Sequence, residues 1–216
     1  DADRVMFIDE KGQFISPDLI IAVLGHYFFE ERKETGKVVQ DIRTSKAVAD
    51  YLRQFNVDVV TWKVGRAFGA TKLKDVDGIY GGELAGHYYF KDFYYSDSGM
   101  LAALLVLRVL LKFRDKGINF SQLIGQISTY ANTGEVNFKI EQKAEAMEAV
   151  KSWFMENESP ISFLDVDGYR LDFEDWWFNI RPSNTEPYLR FLAEAKDQHL
   201  LDMKTKIIFD IIGKFS

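Results

Sequence analysis

The first half of the chain alternates short apolar runs with segments that have helical spacing. Val38-Val39 and Val57-Asp-Val-Val60 have the length and composition of buried strands. Between them, a helix is predicted to begin after Thr44 or Ser45. A strand, a helix and a further strand in this order predict a parallel sheet.

Two longer helices are marked by their boundary residues. Ser16 is predicted to cap a helix, because its hydroxyl precedes a proline at the first helical position and the apolar run Leu19 to Leu24 follows. This helix is predicted from about residue 17 to residues 30–35. Another helix is predicted from about Ser98 to Arg114, where Gly117 is a plausible stop signal. The second of these helices would close the predicted unit.

The pattern changes after about residue 120. Glu141 to Met155 has the spacing of an amphipathic helix, Leu189 to Ala195 is typical of a strand, and Leu200 to Ile212 predicts a closing helix. The aromatic stretch Tyr169 to Phe178 is interpreted as sheet packing rather than as a sugar site. The predicted fold class is α/β: a Rossmann-like domain with a mixed or parallel sheet, followed by a smaller α+β domain.

Composition narrows the possible partners. The 216 residues are 47% hydrophobic and 28% charged, with a formal net charge of −6, which disfavours nucleic acid or an anionic membrane as a general partner. The longest apolar run, Met100 to Leu107, is too short to span a bilayer. The chain has no cysteine, so it forms no disulfide or zinc–thiolate site, and a cytoplasmic location is expected.

The segment Arg181-Pro-Ser-Asn-Thr-Glu-Pro-Tyr-Leu-Arg190 concentrates groups that suit a phosphate. Its short polar residues line anion-binding turns in other proteins, and an arginine can hold a phosphate through two parallel hydrogen bonds. The alternative is an ordinary polar turn between strands, with solvated arginines. The spacing alone favours neither interpretation.

Two further polar motifs precede this segment. Gly81-Gly-Glu-Leu-Ala-Gly-His87 follows a short apolar strand, and its glycines would let the glutamate approach sugar hydroxyls closely. The chain opens with Asp1-Ala-Asp3-Arg4, whose alternating carboxylates would face one side of an extended segment and suit Mg²⁺. Taken singly, each motif has a simpler explanation: a strand-end turn with an exposed glutamate, and an exposed pair of aspartates.

In this order the three motifs resemble those of the α-D-phosphohexomutases, the phosphomannomutase/phosphoglucomutase family, and the resemblance spans all 216 residues. It implies an enzyme that interconverts hexose 1-phosphate and hexose 6-phosphate through an active-site phosphoserine and a hexose 1,6-bisphosphate. It also implies Mg²⁺ bound by Asp1 and Asp3. The expected divisions are the end of a metal-loop domain at residues 1–13, a sugar-recognition domain at 14–120 and a phosphate-binding domain at 121–216.

The same resemblance assigns individual side chains to the site. The sugar is expected at Glu83, Ala85 and His87. The phosphate that is not being transferred is expected at Arg181, Ser183, Asn184, Thr185 and Arg190. Cations that support catalysis near the phosphate groups are expected to be Arg4, Arg43, Lys63 and Arg66.

The chain also departs from the family pattern. Ala85 stands where the family usually has serine, and Arg66 stands where it has histidine. The first aspartate of the metal loop would precede residue 1, and the Thr-x-Ser-His-Asn-Pro loop that carries the phosphoserine does not occur. We therefore expect the carboxy-terminal part of a mutase, inactive without its amino-terminal domains. A non-catalytic sugar-phosphate-binding module is the alternative, and a dinucleotide-binding enzyme is disfavoured because no Gly-x-Gly-x-x-Gly loop follows a strand.

Overall fold

The computed structural model describes residues 2–183 and 186–215, and the chain forms two structural units. Unit 1 is Asp1–Thr129 and unit 2 is Tyr130–Ser216. Each unit has its own hydrophobic core. Within the described ranges, no helix is both long enough and apolar enough to cross a membrane.

Unit 1 is built from short strands and helices that alternate along the chain. Its strands are β1 (Phe7–Ile8), β2 (Phe14–Ile15), β3 (Lys37–Asp41), β4 (Asp58–Trp62), β5 (Tyr80–Gly82), β6 (Tyr88–Phe90) and β7 (Ser96–Asp97). Its helices are α1 (Leu19–Gly25), which continues into a π-helical segment (His26–Glu31), α2 (Lys46–Leu52), α3 (Arg66–Asp75), α4 (Gly99–Asp115) and α5 (Phe120–Ile127).

The main sheet of unit 1 has the strand order β4-β3-β5-β6-β7. Strand β3 runs parallel to β4 and β5, which confirms the predicted β-α-β arrangement, whereas β6 and β7 are antiparallel additions. The direction reverses because β5 and β6 are joined by the short loop 83–87, and only antiparallel neighbours can be joined so closely. The carboxyl ends of β3, β4 and β5 therefore meet at one edge, where open α/β sheets bind their ligands.

Two helix starts position loops at this edge. Helix α4 begins where predicted, and the Ser98 hydroxyl accepts a hydrogen bond from the backbone N–H of Leu101. The cap of α1 is Asp18 rather than the predicted Ser16. Its carboxylate accepts from the backbone N–H groups of Leu19 and, at 2.9 Å, of Ser45. Asp18 therefore ties the start of α1 to the loop that follows β3.

The division between the units differs from the predicted one. It falls after Thr129 rather than after residue 120, because α5 packs the buried side chains of Leu123 and Ile127 into the core of unit 1. The segment expected to end a preceding domain, residues 1–13, is also part of unit 1. Its hairpin, β1 paired with β2, joins no other strand in the described part of the chain.

Unit 2 is the predicted α+β domain, with helices packed on one face of an antiparallel sheet. Its helices are α6 (Lys143–Asn157) and α7 (Gln198–Ile212). Its strands are β8 (Ala131–Asn132), β9 (Val136–Phe138), β10 (Ser162–Leu164), β11 (Tyr169–Asp172), β12 (Trp176–Pro182) and β13 (Leu189–Ala195). The strand order is β10-β11-β12-β13-β8, with β9 also paired to β13.

Alternate residues of β12 and β13 face opposite sides of this sheet. Trp176, Phe178 and Ile180 lie in the core with α6 and α7, which confirms the packing role predicted for the aromatic stretch. Arg181 and Arg190 occupy the alternate positions and lie directly opposite each other across β12 and β13. The loop that joins the two strands begins and ends beside this pair of arginines.

Candidate functional site

The site in unit 1 is organised around Asp41, the last residue of β3, which is only 2% exposed. Its carboxylate accepts from the backbone N–H of Arg43 at 2.7 Å and from the backbone N–H of Leu84 at 2.9 Å. These bonds connect the end of one strand to the loop after β5. Asp41 thereby fixes the glycine loop, residues 81–87, against the edge of the sheet.

Arg43 is held by the same carboxylate. Its Nε and Nη2 atoms donate to Asp41 at 3.2 and 2.7 Å, so the guanidinium and the carboxylate meet through a two-point, charge-assisted contact. Both side chains are buried. The Arg43 guanidinium therefore points towards Asp41, and their ion pair helps to hold the loop after β3 in place.

Glu83, the expected sugar ligand, is also 2% exposed. One of its carboxylate oxygens accepts from the Tyr89 hydroxyl and the other from the backbone N–H of Gly65 at 3.3 Å. Burial raises the pKa of Glu83, and the Tyr89 hydrogen bond opposes that shift. A carboxylate offers about four acceptor positions, and these two bonds take only two of them. Two acceptor positions of this buried carboxylate are thus left without a hydrogen bond from the described residues.

The segment after Asp1 packs along the glycine loop. Arg4 and His87 form an antiparallel bridge, and the backbone N–H of Val5 donates to the Gly86 carbonyl at 3.2 Å. The backbone φ at Gly86 is +85°, which favours glycine, and a Cβ atom there would lie 3.1 Å from the Val5 carbonyl oxygen. Two motifs that are far apart in the sequence are therefore adjacent in the fold.

A polar cluster forms where these two motifs meet. His87 Nδ1 lies 2.7 Å from a carboxylate oxygen of Asp97, whose other oxygen accepts from Arg66 Nε at 3.1 Å. Arg66 Nη1 also lies 3.8 Å from the Asp3 carboxylate. The Asp97 contact favours the histidine tautomer that carries its proton on Nδ1. The ligand atoms that Asp3, His87 and Asp97 would offer a metal all lie within 4.8 Å of one another.

The remaining expected residues of unit 1 take different positions. Lys63 follows β4, and its Nζ atom lies 5.7 Å from the centre of the Phe68 ring and 6.0 Å from that of Trp62, within the range of cation–π interactions. Ala85 is partly exposed in the glycine loop, and Arg4 is exposed beside it. Asp1, the second expected metal ligand, lies outside the described residues.

The site in unit 2 is the loop between β12 and β13. The backbone N–H of Ser183 donates to the Tyr188 carbonyl at 2.9 Å, and the Ser183 hydroxyl accepts from the backbone N–H of Glu186 at 3.2 Å. These bonds close the loop. Asn184 and Thr185, both expected phosphate ligands, lie outside the described residues.

Carboxylates accompany both arginines of this loop. Arg190 donates through Nη1 to Glu135 at 2.8 Å and through Nη2 to Glu186 at 2.6 Å. The second oxygen of Glu135 lies 3.9 Å from Arg181 Nη2. Arg181 is nearly fully buried, with 4% of its side chain exposed, whereas Glu135 is 25% exposed. One carboxylate therefore serves two guanidinium groups.

The carboxylates that hold these cations were not predicted. Asp41 stands two residues before an expected site arginine, and Asp97 stands directly before the cap of α4. Glu135 follows Gly134, a turn residue, and precedes β9. Each position is a weak sequence signal, because acidic residues beside turns and helix starts are common. Their role becomes visible only once the strands are paired.

Two family models match the chain, and they follow its two units. The model described as phosphoglucomutase/phosphomannomutase, alpha/beta/alpha domain III, matches residues 16–130. The model described as phosphoglucomutase/phosphomannomutase, C-terminal domain, matches residues 135–205.

Individual relatives agree with these matches. The phosphomannomutase of Vibrio cholerae is 38% identical over 208 residues, which cover 96% of this chain and 44% of that protein. A phosphoglucomutase/phosphomannomutase family protein from Burkholderia thailandensis has the same fold, with a TM-score of 0.82 and 21% identity over 99% of this chain and 45% of its own. The N-acetylphosphoglucosamine mutase of Aspergillus fumigatus, solved in complex with GlcNAc-6P and magnesium, has a TM-score of 0.65 and 15% identity over 98% of this chain and 47% of its own.

The chain thus spans less than half the length of these relatives, and the part that it spans is the carboxy-terminal half of the V. cholerae protein. The two family models together take in most of unit 1 and most of unit 2. The expected resemblance is therefore confirmed at the level of both domains. This chain belongs to the phosphoglucomutase/phosphomannomutase family.

Proposed function

We propose that this chain forms the carboxy-terminal half of a cytoplasmic phosphohexomutase that interconverts hexose 1-phosphate and hexose 6-phosphate. The observation that carries the proposal is the contact between the segment of Asp3 and Arg4 and the glycine loop. It brings a candidate metal ligand, a cation and the candidate sugar ligands to one edge of the sheet. An ordinary strand-end turn would have no need of this arrangement.

In this proposal each unit contributes its own binding groups. Arg181 and Ser183, with Asn184 and Thr185, bind the phosphate that is not transferred. Glu83 accepts from the sugar hydroxyls, and His87, fixed through its Nδ1 by Asp97, presents its other ring nitrogen to the ligand. A phosphoserine outside this chain gives its phosphoryl group to a sugar oxygen, and the resulting hexose 1,6-bisphosphate turns round and returns the other phosphate. The protein contributes position and charge.

The described residues fit a magnesium ion in part. Asp3 offers a hard carboxylate ligand, 18% exposed, beside the partly exposed His87. Asp97 is less suitable, because its two oxygens already accept from His87 and Arg66. We propose that Asp3, together with Asp1, would hold Mg²⁺. The ion would neutralise charge on the phosphoserine when it is bound.

A non-catalytic sugar-phosphate-binding module remains the second candidate, because no Thr-x-Ser-His-Asn-Pro loop occurs in these 216 residues. The two candidates predict the same ligand and differ in turnover. A chain joined to the amino-terminal half of a family member, with Mg²⁺ and the bisphosphate present, converts mannose 1-phosphate only under the first candidate. The 216 residues alone should give no turnover under either.

Binding tests the phosphate loop itself. Calorimetry with mannose 1-phosphate, mannose 6-phosphate and mannose should show heat for the two phosphates only. Arg181→Lys keeps the charge but loses the two-point geometry, so it should weaken phosphate binding, and Arg181→Ala should weaken it by at least about tenfold. Lys206→Ala, which removes an exposed cation of α7, is the charge-matched control. An unchanged affinity in a folded Arg181→Ala protein would remove this residue from the site.

A further inference from the structure

We propose that Glu135 competes with phosphate for Arg181: its carboxylate neutralises Arg181 in the empty loop and shifts fully onto Arg190 when phosphate binds. The inference rests on the proposed function, since it takes Arg181 as a phosphate ligand. The Glu135 carboxylate would then set how tightly the loop binds phosphate. Glu135 lies just before β9, outside the motif that suggested the phosphate site.

The unequal distances from Glu135 carry the argument. One of its oxygens lies 2.8 Å from Arg190 Nη1, which is a short charge-assisted hydrogen bond. The other lies 3.9 Å from Arg181 Nη2, which is too far for a hydrogen bond but close enough for strong attraction. Glu135 is therefore anchored on Arg190 and only electrostatically associated with Arg181. The Arg181 contact is the one that an incoming anion can replace.

The fold favours a counterion at this place. Arg181 and Arg190 lie directly opposite each other on neighbouring antiparallel strands, an arrangement in which like charges destabilise the pair. Only 4% of the Arg181 side chain is exposed, so water screens its charge poorly. The carboxylate of Glu135 relieves part of this repulsion. A bound phosphate would relieve the repulsion between the two arginines equally well. It would also be repelled by the Glu135 carboxylate, which occupies the same place.

Arg190 then has a different role from the one expected from the sequence. Its two terminal nitrogens donate to two carboxylates, those of Glu135 and Glu186. We therefore assign it to holding Glu135 rather than to contacting phosphate. A mutase benefits from this arrangement, because a bisphosphate that must leave and return in the opposite orientation cannot be bound too tightly.

Calorimetry with inorganic phosphate, at fixed ionic strength, tests the competition. Glu135→Gln keeps the shape and an oxygen for Arg190 but removes the negative charge, so phosphate should bind about five- to tenfold more tightly. Glu135→Asp, which keeps the charge, should not produce this gain. Glu156→Gln, the same change at an exposed position of α6, controls for net charge and should stay within about twofold of the wild-type chain.

A double-mutant cycle separates the two roles of Arg190. Arg190→Gln should weaken phosphate binding in the wild-type background, because Glu135 then turns wholly to Arg181. The same change should have little effect in the Glu135→Gln background. Equal losses in both backgrounds would mean that Arg190 contacts phosphate directly, and they would overturn its assignment as the holder of Glu135. Circular dichroism should show that every variant is folded.

The outcomes also distinguish this inference from the proposed function. If binding needs Arg181 but Glu135→Gln leaves it unchanged or weaker, the competition is wrong and the phosphate site stands. If phosphate binds equally well to wild-type and Arg181→Ala chains, or to none of the variants, the proposed phosphate site itself is wrong. If Glu135→Gln is the one variant that binds phosphate more tightly, the result supports the competition and the proposed phosphate site together.

Discussion

The two candidate sites hold their charged groups in different ways. In unit 1, Asp41 and Glu83 are buried and accept hydrogen bonds from backbone N–H groups of neighbouring loops, those of Leu84 and Gly65. In unit 2, the guanidinium groups of Arg181 and Arg190 both face the side chain of Glu135, which is partly exposed, and Arg190 also donates to Glu186. Backbone hydrogen bonds hold the charged groups of the unit 1 site, whereas ion pairs between side chains neutralise the charges of the unit 2 site.

We therefore expect the unit 1 site to be preassembled, whereas in the unit 2 site a phosphate can replace the carboxylate beside an arginine. Backbone partners cannot move without distorting the loops that carry them, so the unit 1 site should look alike with and without a ligand. A carboxylate on a flexible side chain can give up its place to a phosphate at modest cost. Substitutions in the first site should therefore act mainly on folding, and those in the second mainly on ligand binding.

The largest expected effect is the loss of the Asp41 carboxylate. Asp41→Ala removes two backbone-bound acceptors and leaves the buried guanidinium of Arg43 without its main counterion, so it should lower the free energy of unfolding by about 3–5 kcal/mol. Glu135→Ala is the counterpart in unit 2 and should cost about 1 kcal/mol, because its carboxylate is partly solvated. Urea unfolding gives both values, with hydrogen exchange in β3 and β13 reporting on each unit. Equal losses would contradict the comparison.

The second effect concerns Gly168, whose backbone packs closely against Arg181 in unit 2. Gly168 has φ of +69°, and a Cβ atom there would lie 2.3 Å from the Ile180 carbonyl and 2.4 Å from Arg181 Cβ. Gly168→Ala should lower the free energy of unfolding by about 2–4 kcal/mol, through strain and overlap together.

Gly134→Ala is the matched control for this change. Gly134 has a similar φ of +65°, but nothing lies within 4 Å of its Cβ position, so only the backbone strain of about 1 kcal/mol is expected. Thermal unfolding of the two variants gives the comparison. A Gly168→Ala protein that is no less stable than Gly134→Ala would show that the close approach to Arg181 is not tightly packed.

The sequence predicts the groups that would touch a ligand better than the groups that hold them. Glu83, Arg181 and Ser183 stand in dense motifs of glycine, proline and short polar residues, and those motifs can be read one at a time. Asp41 and Glu135 are single acidic residues among the 33 of the chain. They acquire their role through strand pairing, which no local pattern encodes.

Helix α3 shows the same limit at the level of secondary structure. The sequence does not predict it, because Gly69 and Leu73 are its buried residues and they do not form an apolar stripe. Its position is set by the loop after β4, which the fold brings to the ligand edge. By contrast, the sequence predicts strand β13 with its observed limits, since it is a short and mainly apolar run, and all but one of its residues are buried.

The smallest expected effect concerns pH and the Glu83 carboxyl. Burial raises its pKa in the folded chain above the ordinary value. The native state then holds the proton more strongly than the unfolded state. This contribution to stability is fully present below the ordinary pKa and is lost as the pH rises through the raised pKa. Glu83→Gln stays neutral, so its stability relative to the wild-type chain should increase across that window and then level off.

Tyr89→Phe tests how the hydrogen bond from Tyr89 affects the pKa of Glu83. The Tyr89 hydroxyl donates to Glu83 and lowers its pKa, in opposition to burial. Without that hydroxyl, the pH window in which wild-type stability declines should move upward, because only the effect of burial and of nearby charges remains. Urea unfolding at a series of pH values, with Glu83→Gln as the reference in both backgrounds, measures the shift. A window that stays in place would mean that the Tyr89 hydrogen bond does not stabilise the ionised carboxylate, and that this part of unit 1 is less firmly preassembled than its contacts indicate.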